Sequence, residues 1–213
     1  MSSLYARNFN ETVIRFYTSE SARPDQTDDA FEAHKVQILK ALGKDLPPNP
    51  EHHPALKPAS QMLSSAATGY CQNTEQFKSA IEKLADQFKW QTNSHYEGVF
   101  PPSFFDSECF TEIIGPAGIL LHKNIRVGLL VMAPDTDYPA HHHAATEWYH
   151  ILSGNALWQQ GGDDFIQRQA GSAIFHQSFE PHAMRTQNKA MLALFSCAGD
   201  ISSEATPLLN AYY

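Results

Sequence analysis

Residues 138–154, YPAHHHAATEWYHILSG, place three consecutive histidines, a glutamate and two tyrosines within a dozen positions. Imidazole nitrogens and carboxylate oxygens together are the ligands of borderline divalent metals. If strand geometry runs approximately through the stretch, with an irregularity at Ala144-Ala145-Thr146, then His141, His143, Glu147 and Tyr149 face one side. His142, Trp148 and His150 face the other, because successive strand side chains alternate. Two imidazoles and a carboxylate then converge on an interior. Such a set suits Zn, Fe, Mn, Co or Ni and does not choose among them. A further ligand has to come from another strand, and the segment PHAMRT offers His182, with Met184 and Thr186 on the same inward face. A lone histidine is usually a satisfied core or surface group. Two alternating ones, with a glutamate four residues after the second, are harder to read that way.

A metal centre needs rigid elements to hold it. From about Phe100 onward the chain alternates with period two between turn residues: TEIIGPAGILL, NIRVGLLVMAP, EWYHIL, SGNALWQQ, GGDDFIQRQ, GSAIFHQ, PHAMRTQNK and MLALFSC. Short, evenly spaced strands predict an antiparallel sandwich or barrel, with Ser153-Gly154, Gly161-Gly162 and Asn188-Lys189 turning hairpins. The first hundred residues read as helices instead. Thr27-Asp28-Asp29 caps one whose apolar face is Phe31, Ile38, Leu39 and Leu42, and Gly43 stops it. Asn73 or Thr74 starts a second, with Phe77, Ile81, Leu84 and Phe88 on one face. Weaker helices are expected over 59–69 and from Asn10 to Tyr17, and the Pro-rich DLPPNPEHHPALKP is a loop in which His52-His53 is exposed.

The 213 residues suffice for one core plus an extension. Hydrophobic residues at 42% and charged ones at 18% are ordinary for a soluble chain, and no apolar run reaches the length of a membrane span. A net charge of −8 with scattered Lys and Arg argues against nucleic acid as a partner. Cys71, Cys109 and Cys197, odd in number and irregularly spaced, suit reduced thiols, and the N-terminus lacks a secretory pattern, so the expected location is the cytoplasm.

HHHAATEWYHILSG matches the order of the first cupin motif, with His141, His143, Glu147 and Gly154 in place and Pro134-Asp135 departing at the usual glycine. GSAIFHQSFEPHAMRT resembles the second motif, with Gly171 and His182 in place but Gln177 and Phe179 where proline and glycine are usual. That resemblance, over roughly residues 106–200, implies a mainly β fold, a cupin double-stranded β-helix (jelly-roll) barrel. The expected organisation is a helical N-terminal extension, 1–105, packed on a metal-binding barrel, 106–213. Tyr138 and Tyr149 around the histidines, with the PHAMRT context and the helical extension, further resemble the cupin-type dimethylsulfoniopropionate lyases. The resemblance implies His143, Glu147 and His182 as ligands, His141 as a further ligand or neighbour, Tyr149 at the metal and Tyr138 lining the pocket. It also implies cleavage of dimethylsulfoniopropionate to dimethyl sulfide and acrylate.

The chemistry agrees with the composition. Eliminating a sulfonium requires binding the substrate carboxylate, stabilising charge that delocalises onto it, and a base for the adjacent proton. A tyrosine of pKa about 10 becomes a base only beside a strong positive charge. Between Tyr149 and Tyr138 the residues alone do not assign the base. The sulfonium end suits aromatic faces, for which Tyr96, Trp158, Phe175 and Phe195 are candidates. Arg185 and Lys123 are possible carboxylate partners, and His142, His150 and His176 are expected at the surface or behind the ligands. The implied partner is a small zwitterionic acid, with self-association left open. An iron dioxygenase or isomerase on the same barrel, or a non-catalytic small-molecule binder, are the rival readings.

Overall fold

The computed structural model describes residues 2–25 and 28–208. Helices come first: α1 (Ser2–Tyr17), α2 (Asp29–Leu42), α3 (Leu63–Ala66), α4 (Lys78–Leu84) and α5 (Pro102–Ser107). The strands begin ahead of α5 with β1 (Trp90–Gln91) and continue after it with β2 (Glu108–Gly115), β3 (Leu120–Leu121), β4 (Ile125–Met132), β5 (Asp137–His142) and β6 (Thr146–Ser153). The rest are β7 (Asn155–Gln160), β8 (Ile166–Gln169), β9 (Ala173–His176), β10 (His182–Arg185), β11 (Met191–Ala198) and β12 (Thr206–Pro207). They form a mainly β, two-sheet antiparallel barrel of the cupin type. One sheet runs β1-β2-β4-β11-β6-β9, with β3 beside β2, and the other runs β12-β5-β10-β7-β8.

The helices follow local chemistry where it is strong. The Asp28 carboxylate accepts from the Phe31 N–H at 2.9 Å and caps α2, whose Phe31, Ile38 and Leu42 are buried. Thr27, also considered as a cap, lies outside the described residues. Gly43 ends the helix without a left-handed turn, at φ −70°. The helix expected from Asn73 or Thr74 to Phe88 is shorter, because 3₁₀ turns at Glu75–Phe77 and Ala85–Gln87 flank α4. Its proposed cap is otherwise engaged: the Thr74 hydroxyl donates to the Leu152 carbonyl at 2.8 Å, tying the helix to the barrel. The helix expected over 59–69 is a 3₁₀ turn, Pro58–Met62, followed by the single turn of α3. The one expected from Asn10 begins at Ser2. Neither α5 nor β1 was signalled by periodicity, both being too short to repeat.

Two apolar cores result. One lies between the helices and the outer face of the larger sheet, where Phe16, Phe31, Phe77, Trp148 and Phe175 meet. At about 1.5 to 3 kcal/mol per buried large side chain, this contact fixes the helical segment to the barrel. The indole N–H of Trp148 donates to the Ala22 carbonyl at 3.0 Å, and the His34 ring bridges Thr146 and Ser196. The second core fills the barrel with Leu130, Tyr138, Tyr149, Trp158, Met184 and Phe195. Two glycines shape that interior. Gly154 turns β6 into β7 at φ 80°, where a Cβ would stand 2.2 Å from the Ala190 carbonyl. Gly128 leaves room for the Phe195 ring, which a Cβ there would approach to 2.9 Å.

The histidine stretch is not one strand. It spans the end of β5, a turn over 143–145 and the start of β6, so His141 and Glu147 sit on opposed sheets. At the two positions where cupin motifs carry glycine, the backbone conformation persists without it: Asp135 has φ 55° and Phe179 has φ 60°. Asp tolerates that region, whereas a bulky aromatic is strained there. The Phe179 N–H donates to the His143 carbonyl at 2.8 Å, so the strained turn braces a candidate ligand.

Candidate active site

His141 and His182 are cross-strand partners on β5 and β10 of the smaller sheet, His143 comes from the turn, and Glu147 projects from β6 of the larger sheet. The ring nitrogens of His141, His143 and His182 lie within 4.8 Å of one another. Each ring is oriented by a backbone carbonyl that accepts from its Nδ1: Pro139 at 2.9 Å for His141, Ala145 at 2.9 Å for His143, Glu180 at 3.0 Å for His182. A carbonyl only accepts, so Nδ1 carries the proton and Nε2 of each neutral ring presents its lone pair. Those lone pairs converge with Glu147, whose Oε2 is 3.0 Å from His143 Nε2 and 3.5 Å from His182 Nε2.

This donor set fits a divalent cation. Acceptors facing acceptors at 3.0 Å require a positive charge between or on them, and the buried His182 Nε2 has no hydrogen-bond partner among the described residues. Burial opposes ionisation of Glu147, but His143 and His182 outweigh it and hold the carboxyl well below the usual range. Burial likewise disfavours the His143 imidazolium, and Glu147 more than offsets this, raising its pKa. The site therefore draws positive charge. Three nitrogens and one oxygen are a ligand set for Zn, Fe, Mn, Co or Ni, and the carbonyl-locked Nδ1 atoms are the outer contacts such ligands use.

Outer groups hold the ligands in turn. The Cys197 thiol, opposite Glu147 in the β6–β11 register, lies 3.3 Å from Glu147 Oε1. His176 stacks on His182 with centroids 4.0 Å apart, accepts from the Trp158 indole at 2.9 Å through Nε2, and turns Nδ1 to Glu180 at 3.2 Å. Burial keeps His176 neutral by lowering its pKa far below the usual value.

A cavity of about 430 Å³ opens beside the cluster, and His141, His143, Glu147, Tyr138 and Tyr149 all line it. Burial, then Glu147, Tyr138 and Cys197, push the Tyr149 phenol well above its ordinary pKa. Tyr138 is raised in the same way by burial, Tyr96, Glu108 and Glu147, against a hydrogen bond of 2.8 Å from Asn93 Nδ2. Its ring stacks on His141, centroids 4.5 Å apart and 13° from parallel.

The four aromatic candidates separate. Phe195 lines the cavity. Tyr96 stands one layer back, its ring 6.4 Å from that of Tyr138 and 6.1 Å from that of His141. Trp158 is spent on His176 and on packing against Tyr149, and does not line the cavity. Phe175 is misassigned outright: it pairs with Trp148 across β9 and β6, and so faces the helices, against Phe31 and His34. Other expectations change as well. His150 is fully buried against Trp148 and Phe16 on the helix side, neither at the surface nor behind the ligands, whereas His176 lies behind the cluster as expected. His52 is half-buried, bridging the carbonyls of Gln87 and Ala117. Arg185 pairs with Asp137 over the Phe165 ring, away from the cavity. The arginine that lines the cavity is Arg126, 3.4 Å from Glu112 and bonded to the Ile201 carbonyl at 2.7 Å. Cys197 and Arg126 become visible only through sheet register, because they face the cluster from strands distant in sequence.

Residues 31–193 match the family model described as dimethylsulfoniopropionate lyase. The chain is 29% identical over 201 residues to dimethylsulfoniopropionate lyase DddQ of Ruegeria pomeroyi, covering 87% of this chain and 96% of that protein. Its fold is similar to a crystal structure of DddQ from Ruegeria pomeroyi DSS-3, with a TM-score of 0.72 at 24% identity over 86% of this chain and 94% of that one. It is also similar to a chain from the crystal structures of the lyases RdDddP and RnDddQII, with a TM-score of 0.77 at 19% identity over 98% and 100% of the two chains. Among the described residues, no helix is long and apolar enough to cross a membrane.

Proposed function

The chain belongs to the dimethylsulfoniopropionate lyase family, and we propose that it cleaves dimethylsulfoniopropionate to dimethyl sulfide and acrylate with a divalent cation held by His141, His143, His182 and Glu147. The observation that carries this reading is the convergence of three imidazole Nε2 atoms and a carboxylate at the wall of a cavity that two buried phenols also line. A bound divalent cation supplies a Lewis acid for the substrate carboxylate and a positive field that favours phenolate over phenol.

Tyr149 is the base in this reading. Glu147, a member of the cradle, is the strongest charge acting on its phenol, whereas the Tyr138 hydroxyl is engaged by Asn93. Tyr149 Oη takes the proton from the carbon next to the carboxylate. The freed pair becomes the carbon–carbon double bond of acrylate, and the carbon–sulfur bond breaks with its electrons on sulfur, releasing neutral dimethyl sulfide. Tyr149 then returns the proton to solvent. A base so positioned contributes about 10²- to 10⁴-fold. Tyr138 holds His141 by stacking, and Leu130 and Phe195 give the cavity an apolar wall that limits water. The helices α1 to α4 of the 1–105 extension stiffen the larger sheet of the 106–213 barrel from outside, its later residues Asn93 and Tyr96 reach the site, and the free state of Cys71, Cys109 and Cys197 supports a reducing, cytoplasmic setting.

The test is headspace gas chromatography on purified protein loaded in turn with Zn, Fe, Mn, Co and Ni. Dimethyl sulfide and acrylate in equal amounts are expected, and chelation should abolish both. No gas with any metal would remove the substrate assignment.

A further inference from the structure

The same cavity holds a carboxyl group that the elimination does not use. Glu108, Phe110 and Glu112 alternate along β2 on one face, and all three line the cavity. Glu112 is accounted for: it accepts from the Ala117 N–H at 2.9 Å and lies 3.4 Å from Arg126. Glu108 is not. It is fully buried, and neither carboxylate oxygen has a hydrogen-bond partner among the described residues. Burial alone raises its pKa, to about 8, with no neighbouring cation to offset it. A buried carboxyl without partners destabilises a fold, so its retention beside a cavity points to a partner that arrives from outside.

Resting on the lyase reading, we infer that Glu108 is the counter-charge for the cationic end of the substrate and makes the cavity selective for an onium group. A sulfonium carries no hydrogen to donate, so hydrogen-bonding side chains cannot recognise it. It is recognised by negative charge and by aromatic faces. Glu108 supplies the first as the arriving cation displaces its proton to solvent. Phe110 and Phe195, both on the cavity wall with centroids 6.3 Å apart, supply the second between Glu108 and Tyr149. The substrate's two ends thereby meet opposite fields: its carboxylate the histidine cluster, its onium group a carboxylate on another strand.

The experiment compares two isosteric ligands on the metal-loaded protein by calorimetry, 3-(trimethylammonio)propanoate and 4,4-dimethylpentanoate, which differ in the charge of one end. Wild type should bind the cationic ligand more tightly. Glu108→Gln should weaken that ligand on the order of tenfold, leave the neutral one within about twofold, and raise KM for dimethylsulfoniopropionate more than it lowers kcat. Glu108→Met, which fills the same volume with apolar atoms, carries the same measurement if the amide does not fold. An unchanged preference in the variants, equal weakening of both ligands, or no preference in wild type each overturns the inference. If wild type releases no dimethyl sulfide yet loses its charge preference on substitution, the lyase reading falls and the onium subsite stands.

Discussion

His141 and His182 face each other across β5 and β10 with ring centroids 4.2 Å apart, and each donates its Nδ1 proton to the carbonyl two residues earlier, Pro139 and Glu180. One local device, repeated on neighbouring strands, turns both Nε2 lone pairs to the same point. Two converging lone pairs repel, and without a cation the arrangement is unfavourable.

Metal should therefore stabilise the protein, and histidine loss should remove that effect. In differential scanning fluorimetry, a divalent metal at about 100 times its Kd should add roughly 2.7 kcal/mol to wild type. His182→Ala should show little metal-dependent shift and lose activity by about 100-fold or more. An undiminished shift in His182→Ala would take this residue out of the cradle.

The two phenols should separate kinetically. Tyr149→Phe is expected to lower kcat by about 10²- to 10⁴-fold with metal content unchanged by elemental analysis. Tyr138→Phe keeps the ring that stacks on His141 and loses only the hydroxyl bonded to Asn93, so its loss should be smaller and lie partly in KM. The reverse ranking would make Tyr138 the base.

The barrel was legible in the sequence because its strands alternate strongly and its turns carry glycine; the cradle was legible because His141, His143 and Glu147 are close in the chain. Parity gave the right face for Tyr149 although the stretch bends from β5 into β6, since the turn happens to preserve it. Phe175 failed for want of register, as only its pairing with Trp148 shows that it faces the helices. Phe179 shows the opposite limit. The glycine of the motif is missing, yet the φ of 60° is retained by an exposed aromatic, because the surrounding turn, bonded to His143, dictates it.

Acid should unfold the protein through buried histidines outside the cradle. Burial lowers His34 to about 4 and His150 to about 3, so both are neutral when folded. In the unfolded chain each takes up a proton near pH 6.5, and from there downward the unfolded state binds more protons than the folded one. Stability is thus full above pH 6.5 and falls on acidification, by on the order of 2 kcal/mol per histidine at pH 5. Replacing His150 by Phe, between Trp148 and Phe16, should make urea-unfolding stability shallower in pH by about 1.4 kcal/mol per unit over pH 4.5–6. An unaltered slope would mean that His150 has access to a compensating charge.

Glu108 should act in the opposite direction. Its carboxyl ionises near pH 4.5 in the unfolded chain and near 8 in the folded one, so between those values the folded state holds a proton that the unfolded state has released. Its contribution is complete below pH 4.5 and is lost as pH rises to 8. Glu108→Gln has no proton to hold, so its stability advantage over wild type should grow from pH 5 to pH 8 by on the order of 3 kcal/mol, read from urea midpoints in the absence of substrate. A saturating onium carboxylate should narrow that gap at pH 8 by about 1.4 kcal/mol, the equivalent of a tenfold difference in affinity, because it binds the ionised wild-type carboxyl more tightly than the amide. A difference between the two proteins that stays flat with pH would show that Glu108 is already partnered in the free enzyme.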